Sequence, residues 1–143
     1  MIQASLQDFC NRMVAKGAIG RDDVNELARE ILPEGLACRD EADMLLGLDR
    51  AVRAADPSFA DLLTAMLVDF AVWGERPTGR IDAEIAHWLA GSLSVGGGPT
   101  PLGMRIAREV IREAESSHET LLACALGGTG GAILLAPVRR LAA

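Results

Sequence analysis

Tyrosine is absent from this chain, aromatic residues make up only 3% of it, and Lys16 is its one lysine. A core without aromatics must be built from Ala, Leu, Val and Ile, which make up most of the 50% hydrophobic fraction. Small aliphatic side chains on a charge-rich background suit helix packed on helix better than a β-sandwich. Basic residues are scarce as well, and the net charge is −6. A nucleic-acid binder needs a basic stripe to displace counterions, so that class is excluded, and an anionic membrane surface is an unlikely partner for the same reason. A cation or a protein partner, a second copy of this chain among them, remains compatible. The three cysteines, Cys10, Cys38 and Cys124, are far apart and form no C-x-x-C pair, so they read as small core residues in a reducing compartment. Only two histidines are present, His87 and His118, and both read as exposed.

Met1–Ser5 shows no basic segment followed by an apolar run, so a signal peptide is not expected and a cytoplasmic location is. Thr120–Val138 is a stretch of 19 residues without a charge, followed by Arg139 and Arg140. A tail anchor would look like this, but Gly127–Gly131 at its centre makes a poor spanning helix. The favoured reading is a helix ending near Gly127, a glycine-rich turn and a short apolar tail. With 143 residues the chain has room for one core-forming domain. We place the helical domain at 1–126 and the glycine-rich turn and tail at 127–143.

Caps and apolar spacing divide the domain into about seven helices. The first is expected over Ala4–Lys16, stopped by Gly17, and the second from Asp22 to Leu32, before Pro33. The third runs from Arg39 to about Ala55, with Ala42, Leu45, Leu46, Leu48 and Val52 inward. The fourth has the clearest signature: Asp56 as cap, Pro57 at the first position, and an apolar stripe from Phe59 to Phe70. A loop from Gly74 to Arg80 leads to a fifth helix over Asp82–Leu93. Gly96–Gly98 reads as a connector before a sixth helix, which starts at Thr100–Pro101 and runs to about Glu115, with Arg105 and Glu109 spaced as an ion pair. Ser116 and Glu119 form a capping box for the seventh, ending near Leu126. Strand alternation is missing, and Ala132–Ala136 is the one place where a short strand is expected.

The pattern also repeats. Gly17-Ala18-Ile19 and Gly79-Arg80-Ile81 are both G-x-I, 62 residues apart, and each precedes an acidic helix start. Leu27 and Leu89 follow at one matching distance, Ile31 and Leu93 at another. The fold class expected is therefore all-α, a single compact bundle with an internal pseudo-repeat of two helix–G-x-I–helix–loop–helix units, the seventh helix being an addition. Gly79-Arg80-Ile81-Asp82-Ala83-Glu84, followed by an amphipathic helix, resembles the G-x-I-D-x-E pattern of tellurite-resistance TerB-like domains. The doubled layout, with Gly17-Ala18-Ile19 in its first half, resembles them too. The resemblance spans roughly Gln3 to Leu126. It implies a helical bundle of bacterial type, in some members an acidic surface that binds divalent metal, and a role in stress or in membrane-associated complexes rather than catalysis. The matching acidic positions are Asp82 and Glu84, with Asp22, Asp23 and Glu26 in the first half, where the acids sit two residues later relative to the Ile.

Three sets of residues are candidates for chemistry. The acidic helix starts (Asp22, Asp23, Glu26, Asp82, Glu84) have two readings. Carboxylates there cap free amides, whereas a hard cation needs six or more oxygens, and no EF-hand loop is present. Asp49 and Asp69 fall within or beside apolar arcs on a helical wheel, so they are the buried-carboxylate candidates: either structural, in an ion pair with an arginine such as Arg50 or Arg53 or in bonds to loop amides, or the acid and base of a small helical enzyme. Trp73, Glu75, Arg76 and Arg80, in the loop Trp73–Arg80, combine an aromatic with charge of both signs, as protein-binding surfaces do. The competing reading of that loop is a rigid turn set by Pro77 and Gly79, with Trp73 in the core. No nucleophile–base pair and no phosphate loop is present. The leading expectation is a non-enzymatic interaction or accessory module, ahead of a divalent-metal-binding stress protein and of an enzyme.

Overall fold

The computed structural model describes residues 3–126. Seven α-helices and four two-residue strands occur among them, and the fold class is all-α. The chain divides into two compact units, Met1–Phe70 and Ala71–Ala143.

In the first unit, α1 (Ala4–Lys16) turns Leu6, Phe9, Cys10 and Met13 inward at helical spacing. Gly17 ends it at φ 76, a conformation that costs an L-residue about 1–2 kcal/mol, and its N–H closes on the Met13 carbonyl. The chain then runs extended as β1 (Ala18–Ile19) into α2 (Arg21–Glu26), which widens to a π-helical turn over Leu27–Ile31. α3 (Arg39–Ala51) stops before the expected Ala55 because Val52 turns extended, at φ −89 and ψ 148. Ala42, Leu45, Leu46 and Leu48 are buried as the stripe requires, and Val52, past the helix end, is half-buried. Next comes β2 (Ala54–Ala55), which pairs in parallel with β1, Ala18 opposite Ala54 and Ile19 opposite Ala55. Arg53 N–H to Gly17 O (3.0 Å) and Asp56 N–H to Ile19 O (2.8 Å) frame the pair. α4 (Pro57–Val68) begins where its cap and proline place it. Asp56 accepts from Ser58 N–H, and Phe59, Leu63, Met66 and Leu67 are buried.

α4 gives way to a π-helical stretch over Asp69–Gly74, which leads into the second unit. There β3 (Arg80–Ile81) precedes α5 (Ala83–Leu93), and α6 (Pro101–Glu113) follows the glycine connector. The chain turns extended again as β4 (Ser116–Ser117), pairs in parallel with β3, and enters α7 (Glu119–Ala125). Glu115 N–H to Gly79 O (2.7 Å) and His118 N–H to Ile81 O (2.8 Å) frame this pair as their counterparts frame the first. On α6, Glu109 pairs with Arg112 at 3.5 Å. Ile81, Ile85, Leu89, Leu93, Ile106, Val110 and Leu121 form the core of this unit.

The spacing is constant. Ala18 and Arg80 lie 62 positions apart, as do their strand partners Ala54 and Ser116. The first residues of α2 and α5, of α3 and α6, and of α4 and α7 stand at that same distance. α7 thus starts as far after α4 as α5 and α6 start after α2 and α3. The short strands correct the expectation that none would occur before the tail. Two residues are too few for an alternation to show in sequence, and both pairs are fixed by hydrogen bonds from their flanks. Ser116 belongs to β4 and does not cap α7; His118 does. The expected strand at Ala132–Ala136 and the tail lie outside the described residues, among which no helix is long and apolar enough to cross a membrane.

Candidate functional site

The π-helical stretch decides what the loop before β3 presents. An α-helix advances 100° per residue, and widening to an i→i+5 pattern makes the following side chains lag behind that phase. Phe70, Ala71 and Val72 stay buried, but Trp73 comes out to the surface, 46% exposed. This corrects the core placement of Trp73. Its indole Nε1–H donates to Glu113 Oε2 at 3.1 Å, so the ring is held rather than loose. Behind it Gly79 is buried with φ +82. A Cβ there would stand 3.4 Å from both the Trp73 ring and Glu115 Oε2. Only glycine combines that backbone with that closeness. Arg76 and Arg80 are exposed and Glu75 is half-buried. The result is a fixed aromatic backed by the carboxylates of Glu113 and Glu115, in a segment whose Arg76 and Arg80 are exposed.

Asp69 is exposed and Asp49 is half-buried, so neither is a buried carboxylate, which corrects the placement read from the helical wheel. The buried carboxylate among the described residues is Glu41, 3% exposed. It sits in the first turn of α3 and accepts the Ala37 N–H at 2.8 Å. Its signal was its place three residues after the cap position Cys38, where a Glu reaches back to a free amide. Two open grooves of about 380 and 370 Å³ flank the Leu32–Gly35 segment, and Glu41 lines the first.

Three of the five acids at the helix starts, Asp23, Glu26 and Asp82, are engaged in capping or pairing. Asp23 Oδ2 accepts from Gly20 N–H at 2.8 Å and meets Lys16 Nζ at 2.5 Å. Partial burial pushes its carboxyl up, but Lys16 and the Gly20 amide outweigh that and hold it below the usual carboxylate range. Glu26 takes Arg12, Nη2 to Oε2 at 2.6 Å. Asp82 accepts from Ile85 N–H at 3.0 Å, while Asp22 and Glu84 are exposed. Among the described residues, no three His, Cys, Asp or Glu side chains converge on a point where a metal ion would sit. Cys10 is buried, and burial pushes its thiol up to about 11. Burial raises Cys124 too, against a hydrogen bond with Ser94. Neither is a ready thiolate.

The histidines are closer than their separation in sequence suggests. His87, exposed on α5, and His118, half-buried at the start of α7, have ring centroids 5.7 Å apart. His118 Nδ1 accepts from Thr120 N–H at 3.1 Å, which makes the imidazole the cap of α7.

No family model, no curated protein and no solved structure matches this chain.

Proposed function

We propose that this chain is a non-enzymatic interaction module that engages a protein partner through the surface around Trp73. The observation that carries this reading is a large aromatic ring held at the surface by Glu113, with Arg76 and Arg80 exposed in the same segment of chain. Trp and Arg are the side chains that most often dominate binding energy when they become buried at an interface. A ring already fixed in place loses little conformational freedom on binding. In outline the module is TerB-like and cytoplasmic, which makes a bacterial stress-related complex its setting. That part rests on the two G-x-I turns and the acidic helix starts that follow them. The partner is another protein or a second copy of this chain.

The test compares wild type with Trp73→Ala and Arg76→Glu. Each protein is immobilised, captured partners are identified by mass spectrometry, and self-association is followed by analytical ultracentrifugation. A protein or a dimer held by wild type and lost by both variants, with unchanged helical circular dichroism, supports the reading. The same captured set and the same mass for all three proteins overturns it.

A further inference from the structure

The cap of α7 stands out chemically. A backbone N–H can only donate, so the 3.1 Å contact from Thr120 N–H requires a lone pair on His118 Nδ1 and puts the proton of the neutral ring on Nε2. His87 has the opposite requirement. Its Nδ1 lies 2.8 Å from the Ala83 carbonyl, which only accepts, so Nδ1 carries the proton. The two rings, 5.7 Å apart, are compatible while at least one is neutral. The corresponding helix start of the first unit uses Asp56, which accepts from Ser58 N–H at 3.0 Å. Hydrogen bonds from the Ser58 hydroxyl and amide hold that carboxyl below its usual range. Asp56 therefore keeps its cap through the pH range in which an imidazole takes up a proton.

We infer that His118 makes α7 a pH-sensitive element: the neutral imidazole holds its first turn, and the imidazolium releases it. Protonation removes the acceptor from Nδ1. It also sets a positive charge against the positive end of the helix and, once His87 is charged, beside a second cation. The stability contributed by the cap is present while the ring is neutral and lost when the ring takes up a proton. α5 and α6 both pack against α7. On the side of β3 and α5 the ionisable groups are Arg80, Asp82, Glu84 and His87. α6 carries Arg105, Arg108, Glu109, Arg112 and Glu113, and Glu115 and Glu119 flank His118 in the chain. None restores an acceptor at Nδ1. Release loosens Leu121 and Cys124, the buried side chains of α7.

Amide exchange by NMR on the full chain tests this, with rates expressed as protection factors so that the intrinsic pH dependence cancels. Between about pH 7.5 and about 5.5, protection of Thr120, Leu121 and Leu122 falls about five-fold or more, while that of Ser58 and Phe59 holds. His118→Asp, which installs the chemistry of the first unit, abolishes the step. His87→Gln shrinks it without removing it. Ring nitrogen shifts at neutral pH show His118 protonated at Nε2. No step in the wild type, a step that survives His118→Asp, or a His118 proton on Nδ1 overturns the inference.

Discussion

The helix after each G-x-I turn starts in the same way in the two units and is capped by opposite means. In the first unit the cap position is Gly20, which has no side chain, and Asp23 reaches back from the third helical position to the Gly20 N–H. In the second unit the cap position is Asp82, which reaches forward to the N–H of Ile85, the residue 62 places after Asp23. Each arrangement is one half of a capping box. Because Asp82 supplies the acceptor, Ile85 is free to enter the core, 1% exposed. Because Gly20 does not, that slot in the first unit must hold an acid. The acid that closes the cap thus stands at the third helical position in the first unit and at the cap position itself in the second. The comparison teaches that backbone spacing, not the letter at each position, is what the two units share.

The largest test of that statement is in the core. Phe59 and Leu121 hold equivalent places, each three residues past its cap and each essentially without exposure. Phe59→Ala is expected to cost about 3–5 kcal/mol and Leu121→Ala about 2–5 kcal/mol in urea unfolding. A cost for Leu121→Ala well below that range breaks the equivalence of α4 and α7. The left-handed glycines come next. Gly17→Ala and Gly79→Ala share a backbone penalty of about 1–2 kcal/mol. Gly17 has nothing near its missing Cβ, whereas a Cβ on Gly79 touches the Trp73 ring and Glu115. Gly79→Ala therefore alters Trp73 emission, read in a Trp88→Phe background, and Gly17→Ala leaves it unchanged.

Some of this was legible in the sequence, for identifiable reasons. α1 and the start of α4 follow from local chemistry alone: a left-handed Gly17, and the pair Asp56–Pro57. The strands were not legible, because two residues show no period and the hydrogen bonds that fix them come from Arg53, Asp56, Glu115 and His118. The end of α3 was missed with them. The surface position of Trp73 was hidden because a helical wheel assumes uniform winding, and Asp69–Gly74 is π-helical. Trp73, Arg76 and Arg80 were named from the loop's composition, but Glu113, which holds the ring from 40 residues away, was not. His118 went unread as a cap because imidazole is a rare choice there; the signal was its place 62 residues after Asp56.

Smaller effects sharpen the capping contrast. Asp23→Ala and Asp82→Ala are each expected to cost about 1 kcal/mol by thermal or urea unfolding. Asp22→Ala, exposed beside the first cap, stays within about 0.5 kcal/mol. Equal losses at Asp22 and Asp23 would mean that general acidity near the helix start matters, not the hydrogen bond.

The smallest expected effect is the acid limb of the first unit. Asp23 is held below the usual carboxylate range in the folded chain, against a normal value when unfolded. The unfolded state then binds more protons as pH falls, so the stability that Asp23 contributes is present above the ordinary Asp value and is lost below it. In Asp23→Asn that part of the pH dependence disappears: the variant is less stable at neutral pH and converges on wild type in acid. Asp82→Asn is measured beside it as the cap that lacks a lysine partner, the one lysine of the chain being paired with Asp23. The measurement is unfolding free energy from about pH 3 to about 7 for the three proteins, a span that brackets the Asp titration. Parallel curves for wild type and Asp23→Asn would show that Lys16 and the Gly20 amide do not act on the charged form of Asp23. The contrast between the two caps would then be one of geometry alone.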